Sequence, residues 1–498
     1  MTPHYSLFIN GEFRDTKIDQ NVINPANGEI IATASVASLA QVGAAVDAAR
    51  QAFDSGPWRT FSRIQRKEAL LKIMQGILEE AGTLADLETA NVGKPIKEST
   101  FMDIPASAAT FEHFAHNLDR YLQSENIEIN SNIAQANATI AREPVGVTAL
   151  VVPWNYPLLI ASWKLAQSLA AGNTVVLKPS SLTPLSALLL GTIIHKAGLP
   201  AGVVNVINAP GEAVGELLCG DPRVDMISFT GSNTVGKKIV GYSARHAKKT
   251  IMELGGKSAG IVLADADREF AVNGSLCSIF LNQGQMCTAM SRILIHERLY
   301  DRFVSDFVEK AKRIKLGDPR DFETQMGPLI SRRQQDEVCA CVERAAAQGA
   351  KVLCGGKIPR APQFSQGFFF EPTVLENVNP DSEVFREEVF GPVVCVSSFK
   401  TDEEAIACAN DSRFGLASSV WSADTSNARS LAQKISAGTV WINTYGMFFN
   451  ELPYGGFKES GFGKELGKEG LREYTRLKNV VVDATVNARP LVHYWYGF

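Results

Sequence analysis

Histidine is scarce, seven in 498 residues, and scattered. The eight cysteines form no CxxC pair, and the CxC of Cys339 and Cys341 has no second pair to complete a zinc site. A metal-free protein with reduced thiols is expected. No excess of one charge is present either: the formal net charge is −4, which gives no basic surface for a nucleic acid or an anionic membrane. Long apolar runs are missing, since the most apolar stretch, VTALVVPWNYPLLIASW, is broken by Pro and Asn. The opening residues MTPHYSLFINGEF lack a basic segment followed by an apolar core. These absences together predict a cytoplasmic location and no membrane contact.

What is present is alternation. At 498 residues the chain exceeds one compact core. From about 146 to 262, short apolar runs such as VGVTALVV, NTVVLK, VVNVINA, VDMISFT and KKTIMEL alternate with helical patterns such as PLLIASWKLAQSLAAG and PLSALLLGTIIHKAG. Such alternation predicts a parallel, doubly wound α/β sheet, with ligands at the carboxyl ends of its strands. The second half repeats the theme, with helices YDRFVSDFVEKAKRI and RRQQDEVCACVERAAAQG among strands AKVLCGG, PVVCVSSF and ASSVWS. Segment 122–142 alternates apolar and polar residues and predicts strands that leave the main sheet. The aromatic tail NARPLVHYWYGF reads equally well as packed on its own domain or as a subunit contact.

Two glycine motifs are near misses. GSNTVGKK at 231–238 places Lys238 where a P-loop needs Ser or Thr for Mg²⁺. GFGKELG at 461–467 spaces its glycines as GxGxxxG. A P-loop-like NTPase is therefore an unfavoured alternative. The strand–FTGS–helix sequence nonetheless has its own chemistry, because a helix N-terminus offers free N–H groups to a pyrophosphate.

Four chemically able residues fall near predicted strand ends or in the loop LNQGQMCTAM: Asn155, Glu253, Cys287 and Glu388. Singly, each has a structural explanation, such as a helix cap for Asn155 or a buried thiol for Cys287. Jointly they stand within PWNYP (153–157), LKPS (177–180), FTGS (229–232), ELGGKS (253–258), GQMC (284–287), EEVFGPV (387–393) and PYGGFKESGFGKELG (453–467). With these motifs in order, the chain resembles the NAD(P)-dependent aldehyde dehydrogenase superfamily, and within it the betaine-aldehyde and aminoaldehyde enzymes.

The resemblance implies a Rossmann-like coenzyme domain (1–121 and 143–254), a second α/β catalytic domain (255–450) and a small β bridging arm (122–142 and 478–498) in a homodimer or homotetramer. It implies Cys287 as nucleophile, Asn155 and the Cys287 N–H as oxyanion donors, and Glu253 as the base that activates water. Lys178 is included with the catalytic set, and Glu465 as a second carboxylate that relays protons. For NAD or NADP it implies Trp154, Lys178, Ser181, Gly231, Ser232, Gly236, Leu254, Glu388 and Phe390. Gly284 and Gln285 are expected to leave room beside Cys287 for the cofactor ring. Many NAD-specific relatives carry Glu where Ser181 stands, so NADP⁺ is expected to be tolerated. For a small-molecule aldehyde it implies Tyr156, Trp163, Leu281 and Tyr454. Three aromatics there suit a quaternary ammonium, as in betaine aldehyde or an ω-aminoaldehyde. Leu281, with Phe448 and Phe449 at the entrance, suits an aromatic or medium-chain aldehyde instead. A non-catalytic structural homologue is the remaining alternative, and retention of Cys287, Glu253 and Asn155 argues against it. Glu253 also argues against a CoA-acylating relative and for a free-acid product.

Overall fold

The structure is a computed structural model of the chain and describes residues 2–130, 135–484 and 495–496. Five strands marked by the sequence alternation lie parallel in one eight-stranded sheet: Val147–Val151, Thr174–Lys178, Val204–Val206, Met226–Thr230 and Lys249–Glu253. The chain lays down Val147–Val151 first and steps outward to Thr174–Lys178 and Val204–Val206. It then returns to the other side of the first strand for Met226–Thr230 and Lys249–Glu253. That reversal opens a crevice between the carboxyl ends of Val147–Val151 and Met226–Thr230, the ligand position of doubly wound sheets. Helices cover both faces, so VTALV, TVVLK and MISFT are buried along nearly their whole length. This explains why they read as continuous apolar runs rather than alternating ones.

Helix Pro157–Ala171 connects the first two strands. It starts with Pro at its first turn and stops at Gly172 in the left-handed region, φ 96°. Two segments not read as strands from the sequence complete this sheet. The hairpin Leu7–Ile9 and Glu12–Arg14 pairs antiparallel to Val204–Val206, and Gly461–Phe462 pairs antiparallel to Lys249–Glu253. The GxGxxxG near miss is thus an edge strand of the first sheet. Helices Arg63–Glu79 and Ile104–Tyr121 pack beside Pro157–Ala171, burying Leu70, Ile73, Phe111, Phe114 and Leu165 in a shared core.

The second half forms a seven-stranded sheet in the order Lys351–Cys354, Thr373–Glu376, Val393–Phe399, Arg292–His296, Ala259–Val262, Ala417–Trp421 and Thr439–Ile442. Only the first of these runs antiparallel to its neighbour. Segment 122–142 does form strands, Glu125–Asn130 and Gln135–Pro144, and they join Thr475–Asp483 in a separate antiparallel sheet. Ile127, Ile129, Leu477, Val480, Val481 and Val482 are exposed on it. The expected tail contact of NARPLVHYWYGF lies largely outside the described residues. Among those residues, no helix is long and apolar enough to cross a membrane.

Candidate active site

Cys287 is presented by a contorted turn. Helix Arg268–Phe280 ends, and Asn282, Gln283 and Gly284 follow with φ of 44°, 57° and 72°. Left-handed Asn and Gln cost on the order of 1 kcal/mol or more each, so the surroundings must over-determine them. They do. The Asn282 N–H donates to the Glu98 carboxylate at 3.1 Å, and Gln283 Nε2 donates to the Gly93 carbonyl at 2.8 Å. Gly284 is required sterically as well, since a Cβ there would run into the Gly391 carbonyl. Gln285 Oε1 accepts from the Ile330 N–H at 2.9 Å. Gly284 and Gln285 therefore help to hold the turn, Gly284 by its close approach to Gly391 and Gln285 by its bond to Ile330.

The Cys287 sulfur lies 3.4 Å from the Tyr454 hydroxyl. Burial pushes its thiol up to about 12, the Tyr454 hydrogen bond opposes that rise, and Glu388 and Glu253 add to it. Asn155 is buried, and its Nδ2 donates to the Gln285 carbonyl at 2.8 Å while Asn282 Nδ2 donates to the Asn155 carbonyl at 3.1 Å. A side-chain amide carries two protons, so Asn155 keeps a second N–H to offer.

Glu253 ends its parallel strand and is 4% exposed, yet among the described residues neither carboxylate oxygen has a hydrogen-bond partner. Burial raises its pKa well above the ordinary range, the neighbouring Glu465 raises it further, and Lys164 and Lys464 oppose the rise. An unpaired buried carboxyl of this kind stands out, because such groups are normally satisfied. Three residues on, Gly256 has no room for a Cβ against the Cys287 carbonyl, so ELGGKS and GQMC touch through bare backbone. The Gly256 N–H donates to Glu388 at 3.0 Å. Burial raises Glu388 to about 7, against the pull of that hydrogen bond and of Lys257 and Arg413.

The predicted cofactor residues gather along the crevice. Trp154 and Phe390 meet edge to face, 5.1 Å between ring centres. Phe390 is itself left-handed, φ 55°. Lys178 ends its strand with Nζ donating to the Pro179 carbonyl at 3.4 Å, and burial lowers it to about 8. The Ser181 carbonyl accepts from Gln20 Nε2 at 2.6 Å. Gly231 lies between strand Met226–Thr230 and helix Asn233–Ala244, which Ser232 caps. The Gly231 N–H donates to the Glu253 carbonyl at 3.0 Å, and the start of the helix beyond Ser232 offers its free N–H groups to an anion. Gly236 packs against Leu254, which a Cβ would approach to 2.5 Å. That contact is helix-to-strand packing; both residues are buried.

The aromatic set is only partly as expected. Trp163 and Tyr454 lie 5.4 Å apart, and Phe448 joins both at 5.9 and 5.5 Å. Trp441 extends the cluster, 5.4 Å from Phe448 and 5.2 Å from Tyr445. Tyr445 and Trp441 were not legible in sequence, because no motif surrounds them. Tyr156 instead has the Lys94 ammonium 4.0 Å over its ring. Lys94 is fully buried and bonded to Asp103 at 2.5 Å. Leu281 lies on a different wall, lining a cleft of ≈ 700 Å³ with Phe101, Met102, Cys277 and Ile314.

Glu465 is enclosed. Its carboxylate accepts from Lys164 at 2.7 Å, Ser228 at 2.8 Å and Gln167 at 2.7 Å. Lys164 and Glu465 are 0% and 1% exposed. Removing one member of such a pair strands the other charge, which costs about 3–5 kcal/mol. Glu465→Ala is expected to lose that much in urea unfolding; an unchanged midpoint and slope would show that the pair contributes nothing net.

The fold, the half-buried thiol and the carboxyl at a strand end with no partner among the described residues define an oxidoreductase-like site. The aldehyde dehydrogenase family profile matches residues 13–480, and the chain belongs to that family. It is 43% identical over 494 residues to betaine aldehyde dehydrogenase of Bacillus subtilis, covering 99% of both chains. Human retinal dehydrogenase 2 is 40% identical, with 96% of this chain and 91% of the relative covered. Among solved structures, the NAD⁺ complex of Staphylococcus aureus betaine aldehyde dehydrogenase aligns with a TM-score of 0.94 at 39% identity, covering 99% of this chain and 96% of that one.

Proposed function

We propose that the chain oxidises an aldehyde to the free carboxylic acid with NAD⁺ or NADP⁺, through a thiohemiacetal and a thioester on Cys287. The observation that carries the reading is the half-buried Cys287 thiol together with a buried carboxyl at Glu253 that has no hydrogen-bond partner among the described residues. Cys287 attacks the carbonyl carbon, and the second N–H of Asn155 together with the Cys287 N–H receives the negative oxygen. Donors of this kind are typically worth about 3 kcal/mol each. The oxidised nicotinamide supplies the hydride acceptor when bound. Glu253 then takes a proton from water, whose oxygen attacks the thioester carbon and releases the acid.

The crevice residues fit a dinucleotide. Gly231 and Ser232 stand at a helix start, Lys178 bonds among the described residues only to the Pro179 carbonyl at 3.4 Å, and Glu388 is anchored by Gly256. We place the adenine ribose near Lys178 and Ser181, and the nicotinamide ribose near Glu388 and Phe390. We propose coenzyme (1–121 and 143–254), catalytic (255–450) and bridging (122–142 and 478–498) segments, and that the exposed apolar sheet, whose strands run on to Pro144 and begin at Thr475, joins copies of the chain into a dimer or tetramer.

The leading substrate is betaine aldehyde or an ω-aminoaldehyde. Likeness to two betaine aldehyde dehydrogenases supports it, as do the clustered faces of Trp163, Phe448 and Tyr454. A neutral aromatic or medium-chain aldehyde is the second reading, favoured by Tyr156, whose ring already carries the Lys94 cation.

One panel tests both: NADH and NADPH formation with betaine aldehyde, 4-aminobutanal, hexanal and benzaldehyde. Higher kcat/KM for the first two supports the cationic reading, and the reverse ranking replaces it with the second. Because Ser181 does not repel a 2′-phosphate, NADP⁺ is expected to be used comparably to NAD⁺. A preference for NAD⁺ of about a thousandfold or more, about 4 kcal/mol, would remove Ser181 and Lys178 from that role.

A further inference from the structure

We propose that the Tyr454 hydroxyl is a catalytic hydrogen-bond donor to the Cys287 sulfur, stabilising the thiolate before it attacks and again when it leaves the acyl product. The proposal rests on Cys287 as nucleophile and goes beyond it, since the motif reading uses Tyr454 only as an aromatic wall.

The hydroxyl oxygen is 3.4 Å from Sγ, and among the described residues Cys287 is its hydrogen-bond partner. The direction of the bond follows from chemistry. A thiolate has no proton to give, so the phenol must donate. Tyr454 retains its proton to do so, because burial and the neighbouring Cys287 and Glu253 all push its ionisation well above the ordinary range.

The placement is rigid at three levels. The ring is set against Trp163 and Phe448 at 5.4 and 5.5 Å. The Tyr454 N–H donates to the Glu465 carbonyl at 2.7 Å, and the Glu465 N–H donates back at 2.8 Å. The Glu465 side chain is in turn fixed by Lys164, Ser228 and Gln167. Glu465 is thereby a positioning residue for the donor. A preorganised donor in a dry site is worth more than the same group in water, since it pays no reorganisation when charge appears.

In the attack, the S–H proton goes to a base, the S–C bond forms, and the carbonyl π pair moves to oxygen. In hydrolysis, the water O–C bond forms, the C–S bond breaks, and its electron pair returns to sulfur. Tyr454 keeps its own proton throughout, and the hydrogen bond is strongest whenever sulfur is negative.

Tyr454→Phe deletes one oxygen and retains the ring. Modification of Cys287 by iodoacetamide is followed against pH by mass spectrometry of its peptide, in the full chain without aldehyde. In Tyr454→Phe the apparent thiol pKa is expected to rise, and alkylation at pH 7.5 to slow by about tenfold, as loss of a hydrogen bond to a charged group predicts. A merely structural tyrosine would leave that profile unmoved, so superimposable wild-type and Tyr454→Phe curves overturn the proposal. Failure of the underlying reading registers elsewhere: aldehyde turnover in Cys287→Ala would remove the nucleophile itself, and this donor with it.

Discussion

Cys287→Ala is expected to oxidise no aldehyde while binding NAD⁺ nearly as the parent chain does. The size of the loss follows from the route. A plain aldehyde is a poor hydride donor; the tetrahedral adduct with a thiolate and a negative oxygen is a good one. Without sulfur no adduct forms, and neither the oxyanion donors nor the carboxyl at 253 can replace it. Cofactor binding is expected to persist, because the groups that would hold it stand on other elements: Gly231 and Ser232 at a helix start, Lys178 at a strand end, Glu388 on the Gly256 N–H. The measurement is steady-state NADH formation beside a fluorescence titration of NADH. Turnover within tenfold of the parent would end the covalent mechanism, because none of the other seven cysteines lies in a comparable shell. Cys219, for instance, is buried, with its thiol pushed up to about 12 by burial alone against two lysines.

The parallel sheet was legible because its strands are buried on both faces and are separated by capped helices. VTALV and TVVLK are apolar throughout, and the Pro157 start and Gly172 stop are both in the letters. Cys287, Glu253, Asn155 and Glu388 were legible because each sits in a short motif, and the structure assembles those motifs around shared backbone contacts. What was not legible is what holds them. Asn282 and Gln283 carry no sign of left-handed backbone; that conformation is imposed by Glu98 and Gly93, which lie some 190 residues away in sequence. The Lys94 cation over Tyr156 is equally non-local, and it alters what that ring can bind. The close packing of Gly284 on Gly391 and of Gly236 on Leu254, and the bond from Ile330 to Gln285, are likewise set by partners that no local motif names.

Glu253→Gln is expected to separate the two halves of the reaction. The amide preserves shape but cannot take a proton from water, so the first turnover proceeds and the thioester persists. NADH should appear as a burst equal to the enzyme concentration, followed by a steady state about 10²–10⁴-fold slower, the range general-base catalysis supplies. The parent chain adds a pH signature. Burial without a hydrogen-bond partner, reinforced by Glu465, lifts the Glu253 pKa well above the ordinary carboxylate range. Only the ionised carboxylate accepts a proton. Deacylation in the parent should therefore be slow while the group is protonated and climb as pH rises through its elevated pKa, the opposite of what a catalytic acid at this position would give. In Glu253→Gln that rise should vanish and only the slow attack of hydroxide remain. Quenched-flow trapping of the acyl-enzyme across pH distinguishes the cases. A variant that loses the burst together with the steady state would place Glu253 in the first half-reaction, as the base that takes the Cys287 proton. The raised thiol pKa makes such a base necessary, and Glu253 is one of the two carboxyls whose charge adds to that rise.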